Sequence, residues 1–161
     1  MKRDSKITLA DIYQAKKAID SWICRTPLVY SRKLSTNSQR VFLKLEMVHD
    51  IGAFKIRGAL NRLLNLSPEQ KASGVVATST GNNGRAIAFA AARSGIRAVV
   101  FMSNLVSGDK IADIEGYCAE VRVVGDNFDE TRNAAEEFVA QEKRSWGILL
   151  TILTLSQDRA Q

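Results

Sequence analysis

Residues 51–59 read IGAFKIRGA and set one lysine, Lys55, between an aromatic residue and the start of an amphipathic helix. The apolar residues that follow at helical spacing are Ile56, Ala59, Leu60, Leu63 and Leu64. Lys55 is therefore predicted in or next to the first helical turn, where the helix dipole disfavours an ammonium group. Burial beside Phe54 would disfavour the charge further, and the neutral amine can attack a carbonyl to form a Schiff base. The alternative is a solvated lysine at a helix start.

A second segment carries the features of an anion site. Residues 75–78, VVAT, are predicted to form a short buried strand, and residues 79–84, STGNNG, form a polar loop that opens directly into a helix. Free backbone N–H groups at a helix N-terminus, surrounded by hydroxyl and amide side chains, suit a carboxylate or a phosphate. An ordinary capped turn is the alternative, because Ser, Thr and Asn are also common in caps and turns.

The remaining pattern predicts an α/β fold with a parallel sheet. Strands are predicted at 75–78, 97–102 and 120–124, and helices at about 83–94, 108–118 and 127–143. Such alternation is typical of parallel strands joined by right-handed crossovers. In these sheets ligands bind beyond the carboxyl ends of the strands, which is where the STGNNG loop falls. A G-x-G-x-x-G dinucleotide fingerprint is absent after these strands.

The residues before the lysine segment form a helix and a short hairpin in this interpretation. Thr8 and Asp11 resemble a capping box, and Pro27 is predicted to end the helix that they begin. That helix has an apolar face made of Ile12, Ala15, Ile19 and Trp22. Residues 28–30 and 41–46 are predicted as extended segments, the second with alternating faces. Ser67 and Pro68 mark the start of a further helix.

Composition narrows the function classes. The chain has 161 residues, 45% hydrophobic and 25% charged, and a formal charge of +6, which is typical of a globular protein able to bury a core. Basic residues form no run and have no interleaved aromatics, so nucleic-acid binding is not indicated. No targeting or membrane-spanning segment is recognised, and a cytoplasmic location is expected. Cys24 and Cys118 are far apart in apolar surroundings, which indicates neither a disulfide nor a metal site.

Four ordered blocks resemble the pyridoxal-phosphate (PLP)-dependent threonine/serine dehydratase family. They are RTPL at 25–28, LKLE at 43–46, GAFKIRGA at 52–59 and STGNN at 79–83. The wording STGNNGR is most similar to dehydratases of hydroxyectoine utilisation. The resemblance implies a three-layer α/β sandwich with a parallel sheet, a truncated two-lobe PLP fold of type II related to tryptophan synthase β. It also implies PLP as the cofactor.

Residue roles follow from the same resemblance. Lys55 matches the lysine that binds PLP covalently and then acts as general base and acid, and Phe54 matches the residue packed beside it. Asn82 matches the asparagine that hydrogen-bonds the ring hydroxyl oxygen of the cofactor. The residues that match the loop receiving the substrate carboxylate are Ser79, Thr80, Gly81 and Asn83. No metal ligand is implied.

The implied reaction is β-elimination from a serine- or threonine-like amino acid, which gives a 2-oxo acid and ammonia. Two alternatives remain open. An amino-acid racemase of the same fold would use the Thr80 hydroxyl as a second proton donor, where many dehydratases have alanine. A non-catalytic remnant is the other alternative. The expected partner is a small-molecule amino acid, and a full-length relative is expected to be a homo-oligomer.

Some residues depart from the family pattern. Asn83 replaces a histidine, Ala53 a frequent serine, and Ile51 a frequent threonine. Cys118 replaces a glycine, which would strain the backbone if that position needs a positive φ angle. His49, the only histidine, is interpreted as a solvated loop residue rather than a catalytic one.

The resemblance covers about the first half of such an enzyme. Residues 1–66 are interpreted as the N-terminal part of the large PLP-binding domain, and residues 67–145 as the small α/β domain. Residues 146–161 show no resemblance and look truncated or frame-shifted. The glycine-rich loop for the cofactor phosphate and the hydroxyl that faces the pyridine nitrogen are not found in this sequence, and exposed apolar surface is expected where the second half would pack.

Overall fold

The computed structural model describes residues 7–141 and the backbone of residues 148–150. The helices are α1 (Leu9–Ile19), α2 (Lys55–Leu64), α3 (Pro68–Ser73), α4 (Asn82–Arg93), α5 (Gly108–Glu115) and α6 (Phe128–Gln141). The strands are β1 (Leu28–Tyr30), β2 (Phe42–Lys44), β3 (Val75–Thr78), β4 (Ala98–Met102), β5 (Glu120–Val123) and β6 (Ile148–Leu150). A short 3-10 turn spans Glu46–Val48. None of the described helices is long and apolar enough to cross a membrane.

Four of the strands form a parallel sheet in the order β5-β4-β3-β6. Its two faces are both covered, because side chains alternate along each strand. Val76 and Val99 pack with Ala135 of α6 on one face. Val75 and Val100 belong to the larger cluster on the other face, which includes buried residues of α2 and α4. The predicted three-layer α/β architecture with a parallel sheet is confirmed.

The N-terminal segment agrees with its prediction only in part. Thr8 and Asp11 form the predicted capping box, with the Thr8 N–H donating to Asp11 Oδ2 at 2.8 Å. The helix ends at Ile19 rather than near Pro27, and Ile19 is its only buried residue. The predicted apolar face is wrong for Ile12, which is 56% exposed because no described element packs against that side of α1.

β1 and β2 form a separate antiparallel ribbon in which Val29 pairs with Leu43. All six residues of the two strands are exposed, so the predicted alternation of buried and solvated faces is wrong. A two-stranded ribbon has a buried face only where another element covers it, and no described element does so here. Its rings contact one another instead, with the centroids of Tyr30 and Phe42 5.5 Å apart.

Cys118 lies in the left-handed region of backbone conformation, with φ at 59°. The concern raised by the missing glycine is therefore confirmed, because a residue with a Cβ is strained at this φ angle. Both cysteines are exposed and free, so the prediction of apolar surroundings is wrong.

The domain boundary at residues 66 and 67 stays a prediction. Leu63 before it and Val75 after it belong to one buried cluster. The end of the helix predicted for 127–143 and the segment 151–161 lie outside the described residues.

Candidate active site

Lys55 is the first residue of α2, as the sequence predicts. The helix is fixed in place because Ile56, Ala59 and Leu60 are completely buried on the side that faces α4 and the sheet. Lys55 itself is half-buried, and its Nζ lies 5.2 Å from the centroid of the Phe54 ring. Phe54 is 59% exposed, so the predicted burial of the pair is wrong. The ring instead contributes a partly solvated cation–π contact to the lysine.

The loop after β3 is held by the hydroxyl group of Ser79. This oxygen accepts the Gly84 N–H at 2.7 Å and the Gly81 N–H at 3.2 Å, and the serine is only 4% exposed. A Cβ at Gly84 would lie 3.0 Å from Ser79 Cβ and 3.0 Å from Ile114 Cδ1. The close approach of α4 to the loop therefore depends on glycine at this position. The hydroxyl of Ser79 is engaged within the loop, and its role as a carboxylate contact stays a prediction.

Lys55 and this loop line one cavity of about 170 Å³ at the carboxyl end of β3. The cavity is lined by Lys55, Thr78, Ser79, Thr80, Gly81, Asn82, Asn83 and Phe128. The two segments singled out in the sequence are thus brought together in space. Thr78 and Phe128 were missed by sequence reasoning. Phe128, the first residue of α6, is far from the loop along the chain and carries no local signal of its proximity.

Polar groups in the cavity remain without partners in the protein. Within the described residues, the backbone N–H groups of Asn82 and Asn83 have no acceptor, because they occupy the first turn of α4. Two buried side-chain oxygens, Thr78 Oγ1 and Asn83 Oδ1, also have no hydrogen-bond partner. Buried polar groups are normally paired, so these atoms indicate a polar ligand at this end of the sheet. The N–H groups and the helix dipole favour negative charge on that ligand.

A second polar cluster connects three of the sequence blocks. Arg57 makes a bidentate pair with Glu46, with Nε to Oε2 at 2.6 Å and Nη2 to Oε1 at 2.9 Å. Thr26 Oγ1 also donates to Glu46 Oε1 at 2.6 Å, and Lys44 Nζ donates to the Thr26 carbonyl oxygen at 2.6 Å. Arg57, followed by Thr26, lowers the pKa of Glu46 to about 2. The cluster attaches the first turn of α2, and hence Lys55, to the N-terminal segment.

His49 lies beside this cluster and is only 4% exposed. The prediction of a solvated loop histidine is wrong because the chain turns inward before α2 and places His49 Nε2 3.2 Å from Glu46 Oε2. A larger cavity of about 740 Å³ also borders Glu46 and Arg57, but it includes neither Lys55 nor the loop. The smaller cavity is therefore the candidate active site.

Known proteins resemble this chain over most of its length. The family model described as "Pyridoxal-phosphate dependent enzyme" matches residues 19–150. A putative threonine dehydratase of Sinorhizobium fredii is 43% identical over 139 residues, which is 86% of this chain and 42% of the relative. A catabolic L-threonine dehydratase of Staphylococcus aureus is 41% identical over 137 residues, 84% of this chain and 40% of the relative. The chain spans about two fifths of the length of these curated relatives.

Solved structures agree with the sequence matches. A threonine deaminase from the organism abbreviated T.th. superposes with a TM-score of 0.77 at 32% identity, covering 90% of this chain and 45% of that one. Maize serine racemase superposes with a TM-score of 0.78 at 27% identity, covering 88% and 43%. The family match ends at residue 150, inside the segment 146–161 for which the sequence showed no resemblance. By its sequence match and its fold, the chain belongs to the family of pyridoxal-phosphate dependent enzymes, with fold type II.

Proposed function

We propose that this chain carries the lysine and the carboxylate-binding loop of a PLP-dependent ammonia-lyase that dehydrates a serine- or threonine-like amino acid. The observation that carries the proposal is the single cavity shared by Lys55 and the loop at residues 79–83. The names of the dehydratase relatives support the reaction class. The finer similarity to hydroxyectoine dehydratases stays a prediction.

The residues present fit PLP. Lys55 offers a primary amine, the group that bonds covalently to an aldehyde. Asn82 offers an amide near the start of α4, suited to the ring hydroxyl oxygen of the cofactor. The unpaired N–H groups and the unpaired hydroxyl of Thr78 offer donors to anionic oxygens. When bound, PLP supplies an electron sink that stabilises negative charge at the Cα atom of an amino acid.

The protein's own contribution is proton transfer and orientation. The Lys55 amine, once it is free, lies at the cavity wall and removes the Cα proton of the substrate. The backbone N–H groups of Asn82 and Asn83 hold the substrate carboxylate and fix the direction of the Cα–H bond. Loss of the β-hydroxyl group, followed by hydrolysis of the carbon–nitrogen bond, gives a 2-oxo acid and ammonia.

A racemase is the second candidate, and the position of Thr80 favours it. Thr80 is exposed and lines the same cavity as Lys55, so its hydroxyl is available as a second proton donor. Return of the proton from that side would invert the Cα configuration without loss of the β-hydroxyl. The fold similarity to maize serine racemase is compatible with this reaction.

The product distribution distinguishes the candidates. The chain is supplied with PLP and L-serine or L-threonine, alone and together with the separately produced C-terminal part of the S. fredii relative. Ammonia and 2-oxo acid in equal amounts support the dehydratase, whereas D-serine without ammonia supports the racemase. A matched Lys55→Ala chain must abolish either product. No product in any mixture, although both parts are folded, would refute both enzymatic proposals and favour the non-catalytic remnant.

A further inference from the structure

Thr78 is the last residue of β3 and is 4% exposed. Its Oγ1 atom lines the cavity and has no hydrogen-bond partner in the described part of the chain. Alternation along β3 puts Thr78 on the same face as Val76, the face covered by α6. Phe128 at the start of α6 closes that side of the cavity. Thr78 therefore presents a desolvated hydroxyl to an otherwise small polar space.

The other two buried threonines show that this arrangement is unusual in the molecule. Thr131 Oγ1 donates to the carbonyl oxygens of Val124 and Asn127, both at 2.8 Å. Thr26 Oγ1 donates to the Glu46 carboxylate. Only Thr78, among the buried threonines of the described residues, has a hydroxyl with no acceptor. A buried hydroxyl without a partner is unfavourable, so an acceptor from outside the chain is expected.

The surrounding groups determine the chemistry of that acceptor. The cavity also presents the Lys55 amine and the free N–H groups of Asn82 and Asn83 at the positive end of α4. These groups are hydrogen-bond donors, and together they favour an oxygen atom with negative charge. A carboxylate of the substrate and the ring oxygen of the cofactor share this chemistry.

We propose that Thr78 is a further ligand-binding residue of this cavity and donates its hydroxyl hydrogen to an oxyanion of the bound ligand. The proposal rests on the proposed function, since it places the ligand in the cavity of Lys55. It adds a residue outside the four sequence blocks that carry the family resemblance. The hydroxyl contributes to binding and has no part in holding the ligand-free protein together.

Unfolding of the ligand-free chain tests the second half of this statement. Valine has the shape of threonine without the hydroxyl, so Thr78→Val is expected to keep or raise the urea midpoint. Thr131→Val is the matched control, and it is expected to lower the midpoint because it removes two hydrogen bonds. A Thr78→Val midpoint lowered as much as that of the control would overturn the proposal, since the hydroxyl would then have an internal partner.

Binding tests the first half. PLP is titrated by absorbance, and L-serine by the shift that it causes in the thermal midpoint, with and without PLP. Thr78→Val is expected to weaken one of the two ligands by about tenfold, whereas Thr78→Ser stays within about threefold of the wild type. Weaker PLP assigns the oxyanion to the cofactor, and weaker L-serine assigns it to the substrate carboxylate. Unchanged binding of both ligands, or no binding of either by the wild type, overturns the proposal.

Failure of the proposed function gives a different result. A wild type that binds L-serine with a midpoint shift but does not bind PLP would refute the proposed PLP chemistry at Lys55. Loss of that shift in Thr78→Val would still support the oxyanion contact.

Discussion

Gly84→Ala is expected to destabilise the chain, although alanine is normally preferred over glycine within a helix. The new Cβ would lie 3.0 Å from Ser79 Cβ, 3.1 Å from Ser79 Oγ and 3.0 Å from Ile114 Cδ1. The end of the Ile114 side chain can rotate away. Ser79 cannot move without weakening the two N–H bonds that its hydroxyl accepts.

The magnitude follows from two opposing terms. Overpacking of a buried contact costs about 1–3 kcal/mol. The helix propensity of alanine offsets this by about 1 kcal/mol. We therefore expect a net loss of about 1 kcal/mol in the free energy of unfolding, and displacement of Ser79 should also weaken binding of any ligand held by the loop.

Urea unfolding of the wild type and two variants measures the effect. Gly58→Ala is the matched control, because Gly58 is an exposed residue inside α2 and its Cβ would meet nothing within 4 Å. This control is expected to gain up to about 1 kcal/mol from helix propensity alone. If Gly84→Ala is stabilised as much as Gly58→Ala, the close packing of α4 against the loop is refuted.

Two further predictions concern the backbone and the buried ion pair. Cys118→Gly is expected to raise the free energy of unfolding by about 1 kcal/mol, because it relieves the strain of a Cβ at φ 59°. Cys118→Ala, which keeps the Cβ, should show no such gain in the same urea assay, and an equal gain would exclude backbone strain as the cause. The depressed pKa of Glu46, about 2 against an ordinary value of 4.5, predicts stability that is present above pH 4.5 and lost as the pH falls towards 2. We expect a loss of about 2 kcal/mol, reduced by the partial solvation of the pair with Arg57. Unfolding measured between pH 5 and pH 2.5 should show this slope in the wild type and a flatter one in Glu46→Gln; equal slopes would contradict the assignment.

The sequence predicts those parts of the fold in which local pattern and final packing coincide. The strand Val75–Thr78 and the start of α2 at Lys55 were placed correctly because apolar periodicity and caps act over a few residues. The helix that starts at Pro68 was also found, because Ser67 and Gln70 form a capping box in the structure. The alternation of strands and helices was enough to predict the parallel sheet.

The errors lie where burial depends on distant segments. Local pattern could not place His49, because its burial follows from the turn that brings it against Glu46. The exposed β1–β2 ribbon has a normal strand pattern, and only the absence of a covering element among the described residues makes both faces solvated. Thr78 was overlooked because a threonine at the end of a buried strand is ordinary in sequence; only its unpaired hydroxyl distinguishes it.

Covalent trapping of PLP is the most direct test of the claim that Lys55 and the loop form one ligand site. The chain is mixed with PLP at low molar excess and reduced with borohydride, and the modified peptide is identified by mass spectrometry. The account predicts that the label is concentrated on Lys55 and that L-serine, added before reduction, lowers it. Label spread evenly over exposed lysines such as Lys16 and Lys17, or no label at Lys55, would contradict the account.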